Sequence, residues 1–154
     1  MPDYTPLDDG FEQRVRSSFA RQTLMETIEA RLVKVLPGEV EIQIPFRADL
    51  AQQNGFMHAG IITSIVDTAC GYAALSLMPA KVDVLTVEYK VNFVSPATGH
   101  TLIGRGKVIR PGRTLTVCAG EVVATGDQGE KLVATMLTTM MAIPDRGDFA
   151  NIDK

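Results

Sequence analysis

Between His58 and Lys81 the chain carries a single charged residue, Asp67. A run that long is too long for a strand, and Pro79 ends it, so residues 59–78 are expected to form one helix. Such a helix has no ordinary solvated face and must be enclosed almost all round. A membrane span is not expected, because Asp67 sits near its middle among scattered Gly, Ser and Thr. Other parts of the same protein therefore have to wrap it.

The following sequence supplies the wrapping. Leu85, Val87, Tyr89, Val91 and Phe93 alternate with Thr86, Glu88, Lys90 and Asn92, the period of a strand with one buried face. Three more strands are expected near 101–110, 114–125 and 131–143, separated by Pro96-Ala97-Thr98-Gly99, Pro111-Gly112 and Gly126-Asp127-Gln128-Gly129. Upstream, Phe11, Val15 and Phe19 recur at helical spacing, and 27–46 reads as a β-hairpin: Ile28, Ala30 and Leu32 alternate with Glu29 and Arg31, Val40, Ile42 and Ile44 with their polar neighbours, and Pro37-Gly38 makes the turn. The expected fold is α+β, a six-stranded antiparallel sheet curved round one long helix, with a short N-terminal helix. At 154 residues, 45% hydrophobic and 21% charged, one domain is expected, with loose tails at 1–10 and 144–154.

Charge narrows the partners. A net charge of −3 offers no basic field for nucleic acid. The first thirteen residues hold four acids and neither a basic nor an apolar run, so no signal peptide is expected. Cys70 and Cys118 lie far apart in apolar segments, which suits core packing in a reduced cytoplasm. No metal-ligand spacing, GxSxG elbow or phosphate-binding glycine loop occurs, so no metal or other cofactor is expected.

Asp67 is the principal chemical candidate, since a carboxylate inside an apolar helix is costly without a purpose. His58, followed by Ala59 and Gly60, stands where the helix begins, and N–H groups there lack intrahelical acceptors and suit an oxyanion. Gly55 permits the turn that delivers His58. Asp67 lies nine residues beyond His58, about 13 Å along a helix, too far for both to grip one carbonyl. A two-fold pairing of chains would unite Asp67 of one with the His58-Ala59 end of the other, so a dimer is expected. Arg110, Arg113 and Thr114, around Pro111-Gly112, form a basic hairpin tip that reads either as an ordinary solvated turn or as a phosphate contact. His100 is expected to face solvent.

The stretch Asn54-Gly55-Phe56-Met57-His58-Ala59-Gly60, with Asp67 on the helix, resembles the hotdog-fold thioesterases of the phenylacetate-degradation (PaaI-like) type, whose signature is G-x-x-H-G-G with an acid nine residues after the His. Residues 84–99 and 110–114 look like that family's first post-helix strand and its next hairpin, and the resemblance covers roughly 26–142. It implies a sheet wrapped round the helix, subunits joined edge to edge as a homodimer or a dimer of dimers, and acyl-CoA at the interface. By resemblance Asp67 is nucleophile or general base, the Ala59 N–H polarises the thioester carbonyl, His58 and Gly60 shape that loop, and Gln52 lies near the attacking water. Asn54, Thr86, Arg110, Arg113 and Thr114 would bind substrate. Ala59 departs from the pattern, standing where its first Gly usually does.

The expected activity is acyl-CoA thioester hydrolysis, with Phe56, Met57, Ile61 and Tyr72 as acyl-pocket candidates. Two alternatives are a hotdog hydratase or dehydratase, whose relatives carry a Pro-rich loop after the His that is absent here, and a non-catalytic acyl-CoA-binding protein.

Overall fold

The computed structural model describes residues 3–144. Its elements are α1 (Phe11–Phe19), α2 (Thr23–Thr27), β1 (Arg31–Leu36), β2 (Glu39–Pro45), a short 3-10 turn (Ala48–Leu50), α3 (Ala59–Leu75), β3 (Val82–Phe93), β4 (Thr101–Arg110), β5 (Leu115–Gly126) and β6 (Gly129–Pro144). All strand pairs are antiparallel, in the order β1-β2-β4-β5-β6-β3. This is the α+β hotdog arrangement, with α3 lying across one face of the sheet.

The helix seats closely because the strands beneath it lack side chains at the crossing. A Cβ at Gly106 would overlap the backbone of Ala69 and Cys70, and one at Gly120 would overlap Val66. The core then forms from Ile65, Val66, Ala69 and Cys70 of α3 against Val40, Ile42 and Ile44 of β2, all essentially inaccessible to solvent. The last three alternate with Glu39, Glu41 and Gln43, as the period of two requires. Gly38, at φ 75°, makes the β1–β2 turn, and its N–H donates to Ser76 Oγ (2.7 Å), tying that turn to the end of α3.

α3 ends at Leu75, three residues before the expected stop, and its last turn holds no basic residue. Arg14 of α1 supplies the missing positive charge. Its guanidinium donates to the carbonyls of Leu75 (2.9 Å), Met78 (2.7 Å) and Pro79, where unpaired carbonyls and the negative dipole end gather.

Three local expectations are corrected. The hairpin does not begin at Thr27: Met25 and Ile28, three apart, both enter the core from α2 and the turn after it, Glu29 adopts a left-handed φ of 57°, and the strand starts at Arg31. The alternation of β3 breaks at Val87, where a bulge shifts the pairing from Thr86↔Met140 to Glu88↔Thr139. Leu85 consequently faces away from α3 while Thr86, Tyr89, Val91 and Phe93 face its side. β3 is also an edge strand, so its expected buried face is largely open, with Tyr89 and Phe93 nearly half exposed. Lastly, the lead-in expected to be loose is anchored where it is described. Tyr4 lies over Gly38, and its hydroxyl donates to Ile109 O (3.0 Å). The tail expected from residue 144 onward lies, apart from Pro144, outside the described residues.

Among the described residues no helix is long and apolar enough to cross a membrane. Arg14→Ala should lower stability by about 2 kcal/mol, since it removes charge-assisted hydrogen bonds to the partly buried carbonyls at the end of α3. Arg14→Lys should recover only part of this, because an ammonium cannot fork to all three. Thermal denaturation of the two variants checks both statements.

Candidate active site

The start of α3 is built by a tight loop. Gln52 N–H donates to Phe56 O (2.8 Å), Gly55 N–H returns to Gln52 O (2.9 Å), and Gly55 takes φ 83°, a conformation favourable only to glycine. The loop delivers His58 in an extended conformation as the N-cap, with Nδ1 accepting the Gly60 N–H at 2.8 Å. His58 is thus a positioning group at the helix end. Gly60, expected beside Ala59 in the oxyanion site, has its N–H occupied by this cap. The Ala59 N–H has no acceptor among the described residues and points outward with the positive dipole end.

Gln52 and Ala59 line one cleft of about 380 Å³ together with Phe56, Ile62 and Phe93. Within it Gln52 Oε1 is engaged by the backbone N–H of Asn54, which fixes the amide near the helix start. The Asn54 side chain is exposed on the same loop.

Asp67 lies half-buried on α3 beside a different cleft, of about 260 Å³, which it lines with Thr68, Gly71, Tyr72 and Thr86. Thr86 Oγ1 donates to Asp67 Oδ1 at 3.0 Å. Burial raises the Asp67 carboxyl above the ordinary carboxylate range, and the Thr86 hydrogen bond partly opposes this. Eight residues separate Ala59 from Asp67, about 12 Å along a helix, and the two clefts share no lining residue. One chain therefore displays an unpaired N–H and a half-buried carboxyl in separate clefts.

The basic tip lies elsewhere. Arg113 lines a third cleft, of about 310 Å³, with Leu77, Met78 and Pro79 beyond the C-terminal end of α3, while Arg110 and Thr114 are exposed beside it. Neither Arg110 nor Arg113 forms an ion pair among the described residues. His100 is exposed at its turn, 3.1 Å from Asp127. Cys70 and Cys118 are buried, burial pushes the Cys118 thiol up to about 12 and raises that of Cys70, and neither serves as a nucleophile at neutral pH. Among the described residues no group of three His, Cys, Asp or Glu could hold a metal.

Sequence reasoning missed Ser18, Gln22 and Asp83, which line the Asp67 cleft. Ser18 and Gln22 arrive only because the end of α1 docks on α3, a tertiary event with no local signature. Of the acyl-pocket candidates, Tyr72 lines this cleft, whereas Phe56 and Met57 line the one at the helix start.

Comparison with known proteins agrees with this architecture. Residues 54–131, just over half the chain, match the thioesterase superfamily model. The crystal structure of a thioesterase family protein from Silicibacter pomeroyi is 50% identical, with a TM-score of 0.86 over 88% of this chain and 99% of that one. A Saccharolobus solfataricus protein provisionally named an esterase is 30% identical over 73% of this chain and 80% of its own. The PaaI protein of the E. coli phenylacetic acid degradation operon shares the fold, with a TM-score of 0.80 at 19% identity over 90% of this chain and 97% of that one. The chain belongs to the thioesterase superfamily. It is a thioester hydrolase of the hotdog fold.

The raised Asp67 carboxyl has a consequence for stability. The fold binds this proton more tightly than the unfolded chain does, so the stabilisation is complete below the unfolded value and is lost as pH rises through the folded one. Above that folded value the ionised group costs stability. Asp67→Asn should melt slightly above the parent at pH 7, and the difference should close as pH falls below the carboxylate range, as measured by melting curves across pH.

Proposed function

We propose that the protein hydrolyses acyl-CoA thioesters at composite sites formed by two copies of the chain. The observation that carries this reading is the pair of separated half-sites abutting one open edge strand. Among the described residues β3 is hydrogen-bonded on one side only, to β6. Its Thr86 end borders the Asp67 cleft and its Phe93 end borders the Ala59 cleft. Antiparallel pairing of two β3 edges about a two-fold axis near Tyr89 and Lys90 lays the Thr86 end of each chain beside the Phe93 end of the other. The same pairing would satisfy the edge and cover Tyr89 and Phe93. Leu85, Met141 and Leu115 align in register across three strands on the opposite face, with exposed Leu137 nearby, and fit a dimer of dimers.

In this arrangement the Ala59 N–H of one chain donates to the thioester carbonyl oxygen, where negative charge develops. Asp67 of the other either takes a proton from water as the water oxygen attacks the carbonyl carbon, or attacks that carbon itself. Collapse of the tetrahedral species breaks the C–S bond and releases coenzyme A thiolate and, directly or after hydrolysis of the acyl-enzyme, the free acid. Thr86 holds one carboxylate oxygen and leaves the other for the reaction. Gln52, beside the donor, orients water, and Asn54 borders the entrance. Arg110, Arg113 and Thr114 hold the nucleotide phosphates. Coenzyme A is part of the substrate, and the reaction so written uses no metal or redox cofactor.

Asp67→Asn should lower kcat at least about 100-fold while the protein stays folded. Ala59→Pro deletes the one N–H at issue, and proline is tolerated at the first helical position. His58 already holds ψ 137°, as a residue preceding proline requires. This variant should lose about 100- to 1,000-fold in kcat. Co-expression of the two dead variants tests the composite site, because a random mixture should recover about a quarter of the parental activity through heterodimers. No recovery would place both groups of each site in one chain. Arg113→Ala should raise KM about tenfold for a CoA ester and leave a pantetheine thioester unaffected.

A further inference from the structure

Gly71 lies four residues after Asp67, on the same face of α3, and both line the 260 Å³ cleft. A glycine inside a helix weakens it relative to alanine. At Gly106 and Gly120 close packing explains the glycine, but a Cβ at Gly71 would meet nothing within 4 Å, and its φ is not in the left-handed region. Neither packing nor backbone geometry calls for it. What the absent side chain leaves is space directly beside the reacting carboxylate.

That space ends on a polar wall. Gln22 Nε2 donates to the Tyr72 hydroxyl (2.7 Å), which donates onward to Ser18 Oγ (3.1 Å). Tyr72 is only 4% exposed, so the chain is fixed at its centre. Gln22 Oε1, the second Gln22 Nε2 hydrogen and the Ser18 hydroxyl hydrogen have no partner among the described residues, leaving one acceptor and two donors on the lining. The other charged lining groups are Asp67 and Asp83, with no Lys or Arg among them. A carboxylate on the substrate would meet two like charges there, opposed only by Arg21 near Tyr72 and by no cation on the lining itself. One chain's share of the site, about 260 Å³, is small, so the acyl portion that enters this cleft is compact.

We infer that Gly71 and the Gln22–Tyr72–Ser18 chain set acyl specificity: the cleft takes a compact acyl group with an uncharged hydrogen-bonding substituent, such as a hydroxyl, at its far end. Gly71 gives the group room to pass Asp67, and the Gln22 carbonyl and Ser18 hydroxyl receive the substituent. The inference rests on the thioesterase reading and adds the substrate class to it.

The test measures kcat/KM for the parent, Gly71→Ala and Gln22→Leu on acetyl-CoA, butyryl-CoA, 4-hydroxybutyryl-CoA, succinyl-CoA and palmitoyl-CoA. The parent should favour the hydroxy ester over butyryl-CoA by about tenfold, the worth of one satisfied hydrogen bond, and should turn over succinyl-CoA and palmitoyl-CoA more slowly than either. Gln22→Leu should bring the hydroxybutyryl-to-butyryl ratio close to one. Gly71→Ala should melt about 2–4 °C higher and yet lose several-fold more on hydroxybutyryl-CoA than on acetyl-CoA, a pairing that a merely structural glycine would not give. Hydrolysis with a preference for succinyl-CoA or palmitoyl-CoA, or ratios unmoved by both variants, would overturn the inference and leave the thioesterase reading standing. Absence of hydrolysis by the parent across the panel would overturn both.

Discussion

The close seating of α3 on strands bared by glycine is the constraint from which the other features follow. Because Gly106 and Gly120 let helix backbone approach sheet backbone, α3 has almost no freedom to slide or rotate. The face carrying Ala69 and Cys70 is committed to the core, so Asp67 is turned toward β3 and Thr86. The helix start is left at the rim, where His58 caps one N–H and leaves the next one outward free. The far end is closed by Arg14 from α1. A charge-poor helix is thereby held at both ends and along its length by groups from other elements.

This scaffold concentrates its unfavourable features in one place. Asp67 sits in a half-buried setting that raises its proton affinity, Gly71 weakens the helix one turn later, and β3 leaves an open edge beside them. Elsewhere among the described residues most buried polar side chains are paired, Arg14 Nε excepted: buried Ser76 both donates and accepts, and Arg105 is matched by Glu41, Glu121 and Glu130 on the solvated face. Local costs gathered round one cleft are the pattern expected where function opposes stability.

Much of this was legible in the sequence. The lack of charge in α3 and the period of two in β2 depend only on neighbouring residues, and they led directly to a wrapped helix and an antiparallel sheet. The motif at His58 and the lone acid at Asp67 marked the residues that line two of the clefts, and the distance between them led to the expectation of a second chain. The failures have physical causes of another kind. Ile28, Ala30 and Leu32 alternate by accident, because Ile28 is buried by a helical turn and not by a strand. One extra residue at Val87 reverses the facing of Leu85. Arg14 reaches carbonyls more than sixty positions away, and Ser18 and Gln22 join the cleft only when α1 docks. Contacts so distant in sequence leave no periodic trace.

The central claim is that one active site takes its electrophilic donor from one chain and its carboxylate from another. The most direct measurement is a crystal structure of the protein with an acyl-CoA analogue in which a methylene replaces the thioester sulfur, leaving a ketone that cannot be hydrolysed. The ketone oxygen should lie about 2.7–3.1 Å from the Ala59 nitrogen of one subunit, with the Asp67 carboxylate of its neighbour facing the carbonyl carbon across a paired β3 edge. A ketone bound far from the helix start, or one flanked by Ala59 and Asp67 of the same chain, would contradict it.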